Sequence, residues 1–248
     1  MQQLTYIVSG TADAQRKAEQ AKEKLDRIPH VESLLITIAA PCEMAAEKAG
    51  SMVNAVRELF PHARILAHTC ALKMADLSLD TEGAMLTFTA FESSRVEFVT
   101  VEGNTPASEA KESIARFVGA RPHTKAVEFF VVGLMDQLGA LLEGCTVMDE
   151  HIAVFGAFVD WPPMGVHGYL IADDAELRFG MAAIVFHGET LDAHTVRNFG
   201  WNELGREIVA TRVDGCTIKE LDGGTPVRIY ERYFGIKGDG DFSSDAAL

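Results

Sequence analysis

Apolar residues in the first stretch of the chain recur every three or four positions. Ala14, Ala18, Ala21, Leu25 and Ile28 fall on one side, with Lys and Glu between them. This predicts an amphipathic helix over 12–28, stopped by Pro29. The period then changes. Residues 32–39 are almost continuously apolar, as in a strand covered on both faces. Met44, Ala45, Val53, Val56 and Phe60 restore the helical spacing over 41–60, and Pro61 ends it. Residues 64–70 read as a second buried strand, and 84–91 with 95–101 as a hairpin turning at Ser93-Ser94.

The same order then begins again. Thr105 and Pro106 open a helix, with Glu109 in its first turn and Gly119 at its end. A buried strand is expected over 125–132, a short helix over 136–142 and a strand over 150–157. Extended segments follow at 168–172, 180–187 and 193–199. Residues 12–101 and 105–199 therefore both read helix, strand, helix, strand, then extended strands, which predicts a degenerate internal duplication. Chance recurrence of a common α/β rhythm is the alternative. The expected fold class is α/β with mixed sheets, two pseudo-repeated units with helices packed on the sheets. A hairpin about Asp214-Gly215 and a helix capped by Thr225-Pro226 and closed by Gly235 complete it over 203–235. The expected domain is 1–237, and the Gly- and Asp-rich 238–248 is a polar tail or the start of a linker.

Composition narrows the function. In 248 residues, 22 Lys and Arg face 36 Asp and Glu, a formal charge of −14. A surface this acidic repels phosphate backbones and anionic lipid, and no basic stripe offsets it, so neither nucleic acid nor membrane is an expected partner. No apolar run is long enough to span a bilayer, and the N-terminus lacks the features of a secretory signal. Cys42, Cys70, Cys145 and Cys216 are scattered without a C-x-x-C pair, as in a cytoplasmic protein with reduced thiols.

Phosphate-cradling glycine loops, a nucleophile elbow, a zinc-protease helix and a calcium loop are all absent from the sequence. The adjacent acids Asp149-Glu150 and Asp173-Asp174 would point to opposite faces or to water, which argues against an acid–base dyad. His68 and Cys70 would share a strand face, and a zinc site there would need His187 and His194 as well. The run from Phe155 through Gly156, Asp160 and Trp161 to Gly165 leads a buried strand into a loop rich in glycine, proline and aromatics. Such a loop bares backbone amides beside apolar walls, the makeup of a small-ligand pocket. Trp201 beside Asn198 and Asn202 repeats the theme, and packing of either indole as a structural plug is the alternative.

The segment from His187-Gly188 through Asn198-Phe199-Gly200-Trp201, then Ile208–Arg212, Ile218–Pro226 and Tyr230 to Gly235, resembles the FIST sensory domain. The likeness spans most of the chain at the level of the family's N-terminal module and is most specific over 180–235. One departure stands out. In place of the family's Gly-x-x-Thr-x-Gly-Glu junction the chain has Ala67-His68-Thr69-Cys70-Ala71-Leu72, which keeps only Thr69. The family's C-terminal module has no room before Leu248, as expected of a partial chain or a shortened member.

The resemblance implies a bacterial intracellular sensory domain, beside or fused to histidine kinases, diguanylate cyclases or chemotaxis receptors, with small ligands such as amino acids. Some relatives are haem-binding nitric oxide sensors, and an axial ligand here would be His68 or His187. The expected function is thus non-catalytic metabolite binding near Thr69, Gly156, Asp160, Trp161, Asn198, Gly200 and Trp201, relayed to a signalling partner. The rivals are an enzyme using Asp160, His68 or Cys70, and a purely structural interaction module.

Overall fold

A computed structural model describes residues 1–70, 73–75, 78–80, 82–133, 149–159, 168–196, 205–214 and 217–235. The chain forms two compact units, Met1–Thr195 and Val196–Leu248. In the first, two sheets and their helices stack in layers, giving the α/β fold that the sequence pattern predicts.

The first sheet contains β1 (Gln2–Val8), β2 (Ser33–Ala40), β3 (Arg64–Thr69) and β6 (Ala84–Phe91), with β10 (Leu170–Ala172) and β11 (Ala175–Leu177) added at one side. Its order is β1-β6-β2-β3-β10-β11, with β2 and β3 parallel and the other pairs antiparallel. The side chains alternate, as the pleat requires. Ile36, Ile38, Ile65, Leu86 and Phe88 point to one face, against Ala18 and Ala21 of α1 (Thr11–Leu25) and Met52 and Val56 of α2 (Ala46–Leu59). Leu35, Leu66, Phe91 and Leu170 point to the other face. A two-stranded ribbon, β4 (Lys73–Ala75) with β5 (Ser78–Asp80), lies between β3 and β6 in the chain.

The second sheet contains β7 (Arg95–Glu102), β8 (Thr124–Val132), β9 (Ala153–Phe158) and β12 (Gly180–His187), in the order β7-β12-β8-β9. Val127, Phe129, Met181 and Val185 pack on Ile114 and Val118 of α3 (Ala107–Gly119). Val96, Phe98, Phe130, Ala182 and Ile184 meet the first sheet. The two sheets repeat one plan. In each, the last strand lies between the first and second and runs antiparallel to both, while the third is parallel to the second. The matched series begin at β1 and β7, one strand ahead of the helices at 12 and 105.

Three local expectations change. Residues 84–91 and 95–101 are strands, but they do not form a hairpin, because β1 and β2 already occupy both edges of β6 and β7 crosses into the other sheet. Residues 193–196 are not a strand: they pair with no strand among the described residues, and Val196 is 89% exposed. The helix expected from 41 begins at Ala46, after a turn in which the Met44 amide donates to Pro41 O at 2.9 Å. The helix expected over 136–142 lies outside the described residues.

In the second unit, β13 (Ala210–Asp214) and β14 (Thr217–Leu221) form the expected hairpin, followed by α4 (Pro226–Phe234). Thr225 and Pro226 start α4, and Gly235 ends it at φ 67°, a left-handed turn that costs a glycine little. Asp222 accepts the Val209 amide at 3.0 Å and pairs with Arg206 at 2.6 Å, bracing the hairpin.

Ile184 is fully buried where the sheets meet. Its replacement by Ala should lower the unfolding free energy by about 2–5 kcal/mol in denaturant melts, with little change in slope.

Candidate functional site

The layer between the sheets is solidly apolar at one end, around Leu66, Val132, Leu170 and Ile184. Elsewhere its inward positions turn polar. The register places Thr37 of β2 opposite Thr87 of β6, and Thr87 opposite Thr5 of β1, whose hydroxyl lies 3.3 Å from that of Thr87. From the facing sheet comes Glu128 of β8, opposite Ile184 on one side and Phe155 on the other. Short hydroxyl side chains and a carboxyl do not interdigitate as leucines do, and a cavity of about 610 Å³ remains. Its walls include Thr37, Thr87, Thr89, His68, Cys70 and Glu128, and its apolar lining includes four phenylalanines, Phe91, Phe130, Phe155 and Phe186.

Glu128 is the anomaly. No hydrogen bond or ion pair reaches its carboxyl from the described residues, and burial alone pushes its pKa up to about 7. Among the described residues, His68 has a hydrogen-bond partner on one side only. Its Nδ1 lies 2.9 Å from the Thr69 carbonyl, which can only accept, so Nδ1 carries the proton and Nε2 keeps its lone pair. Burial holds the pKa of His68 below the usual histidine value, against the opposing pull of that carbonyl, so the ring is neutral at pH 7. It packs against the Phe130 ring at 4.7 Å between centroids.

The residues singled out in the sequence fall in several places. Thr69 is 2% exposed, and its hydroxyl is engaged within the fold. That hydroxyl donates to Val159 O at 2.5 Å and accepts the Tyr169 amide at 3.3 Å, so it joins the chain leaving β9 to the chain entering β10. Gly156 faces Phe129 across β8 and β9, where a Cβ would collide with the Phe129 carbonyl. Asp160, Trp161, Asn198, Gly200 and Trp201 lie outside the described residues. His68 and Cys70 line the cleft together, whereas His187 lines a separate hollow with Glu97, Arg121 and His123. The His187 Nε2 is 3.9 Å from Glu97, and burial lowers its pKa more than that carboxylate raises it.

The acidic pairs serve the scaffold. Asp173, at φ 51°, accepts the Ile65 amide at 2.9 Å and pairs with Arg64 at 2.7 Å. Asp149 accepts the His151 amide at 2.9 Å in a turn. Among the described residues no group of three His, Cys, Asp or Glu could hold a metal ion, and no helix is long and apolar enough to cross a membrane.

Haem does not fit the cleft that His68 lines. His68 could offer Nε2 as an axial ligand, but haem also brings two propionates that need cationic anchors. The described lining contains no Lys or Arg, and it presents Glu128 where charge neutralisation would be required. The two candidate histidines also line different cavities.

Sequence reading missed Glu128 and the threonines. The signal was a single carboxylate inside the apolar run 125–132, in a strand covered on both faces.

A family model of the FIST N domain matches residues 34–224. No curated protein matches the chain.

The raised pKa of Glu128 fixes the sign of a pH effect. The folded protein keeps this proton up to about pH 7, while the unfolded chain loses it near the ordinary glutamate value of 4.5. Stability should therefore fall as pH rises across that window and level off above it. Glu128→Gln should remove this part of the slope and stabilise the protein by roughly 1–3 kcal/mol at pH 8, read by urea melts at several pH values. Thr69→Val should cost about 1–3 kcal/mol in the same assay, because it strands a buried carbonyl and a buried amide.

Proposed function

The chain belongs to the FIST family of sensory domains, and we propose that it senses a small metabolite bound in the cleft between its two sheets. The observation that carries this reading is a cavity of about 610 Å³ walled in part by phenylalanines and threonines, with a carboxyl on its wall that no described residue partners. A largely desolvated acid costs stability, and a fold tolerates that cost where a ligand supplies the missing contact.

Relay follows from the position of the site. A ligand touching Thr37 or Thr87 on one sheet and Glu128 on the other bears on how the sheets pack, so occupancy biases two arrangements of the layer. Thr69, next to His68, ties the ends of β9 and β10 and carries a shift at His68 into both sheets. The output is a signalling partner of the histidine kinase or diguanylate cyclase type, inside the cell. Asp160, Trp161, Asn198, Gly200 and Trp201 stay in this proposal as ligand contacts on the strength of the sequence.

Thermal-shift screening of the full chain against amino acids, amines, organic acids and sugars tests the reading. A true ligand at a hundred times its Kd should add about 2.7 kcal/mol of stability. Thr87→Phe, which fills the cavity, should abolish the response while leaving the circular dichroism spectrum native. A ligand that stabilises Thr87→Phe as well as the wild type would refute the cleft as the site, and full response in Trp161→Ala would remove that loop from it.

A further inference from the structure

Apart from the N-terminal ammonium of Met1, every strong polar group that the described walls present to the cleft can accept a hydrogen bond, and none is a fixed cation. Glu128 offers two carboxyl oxygens that no described residue partners. His68 offers Nε2, because its Nδ1 proton is committed to the Thr69 carbonyl. The hydroxyls of Thr37, Thr87 and Thr89 adapt to either role. No Lys or Arg lines the cavity among the described residues, and the N-terminal ammonium of Met1, at its rim, is already paired with Glu92 at 2.9 Å. The body of the cavity is aromatic, and Phe155 on its wall is 42% exposed, so an apolar body has a surface to slide along.

A ligand complementary to these walls is rich in donors, positively charged at one end and apolar at the other. It has no carboxylate, since no free cation described there would pair with one and Glu128 would repel it. Resting on the cleft reading above, we propose that the ligand is an organic cation, a primary amine or guanidine on an apolar body, held by an ion pair to Glu128. A free amino acid, which carries a carboxylate beside its ammonium, is disfavoured by the same walls. The net charge of −14 concentrates small cations around the protein and favours their capture.

Pairs of molecules differing only by the carboxylate provide the test. Isothermal titration of the full chain compares phenethylamine with phenylalanine, and isoamylamine with leucine. The amines should bind and their carboxylated counterparts should bind at least tenfold more weakly. Glu128→Gln, nearly the same shape as the wild type, should lose at least tenfold in affinity for the amines, and Thr87→Phe should lose all binding. The amine stays charged across neutral pH, so its affinity should rise about tenfold from pH 6 to pH 8 in the wild type and stay flat in Glu128→Gln. The other titratable groups on the cavity walls are the Met1 ammonium, His68, Cys70, Asp192 and His194, and a slope that survives in Glu128→Gln would assign the effect to them and overturn the ion pair.

The outcomes separate the two claims. Phenylalanine or leucine binding better than its amine, with loss in Thr87→Phe, would overturn the cation and leave the cleft standing. Amine binding that is equal in wild type, Glu128→Gln and Thr87→Phe would overturn both. Failure of both amines to bind a natively folded wild type would overturn the inference.

Discussion

Two sheets that face each other and are backed by helices leave their central strands, β2, β3, β6, β8 and β12, almost no side open to water. Each of these strands must therefore be apolar on both faces, with side chains that fill the shared layer from opposite directions. Everything specific to this protein grows out of where that requirement is met and where it is relaxed. Around Leu66, Phe98, Leu170 and Ile184 it is met, and the layer closes. Around Thr37, Thr87 and Glu128 it is relaxed, and a hollow opens inside the protein.

The elements were legible because burial on two faces leaves continuous apolar runs, seen at 32–39 and 64–70, and because helices packed on one side keep a period such as Ala14, Ala18, Ala21 and Leu25. Pairing was not legible. Strands 84–91 and 95–101 are as apolar as a hairpin and separated by a short turn. Only the prior occupation of both edges of β6 sends β7 elsewhere. The strand Gln2–Val8 escaped notice because it lies at the sheet edge, with Gln2, Gln3 and Thr5 exposed. Proline and glycine punctuation read well where the turn depends on backbone alone, as at Pro226 and Gly235.

The site was legible in a different sense. The family resemblance pointed to a sensory domain, and the match over 34–224 bears that out. His68 and Thr69 were noticed, yet they divide the work: one faces the cleft and the other ties strands together. Glu128 carried the strongest signal and was read as one more residue of a strand. A carboxylate belongs in such a strand only if something offsets its desolvation, so the sequence already contained the contradiction that the cavity explains.

The strands β10 and β11 come from late in the chain, yet they extend the sheet built by the early part, hydrogen-bonded to β3. The two similarly wired halves are therefore interlocked and do not simply stand side by side. Severing the chain at Ser93-Ser94 would leave the leading fragment with an uncovered edge at β3, while the trailing fragment would carry an orphan ribbon. A protein arranged this way is inherited and folded as a whole, and shuffling its halves among relatives would break more than it recombines.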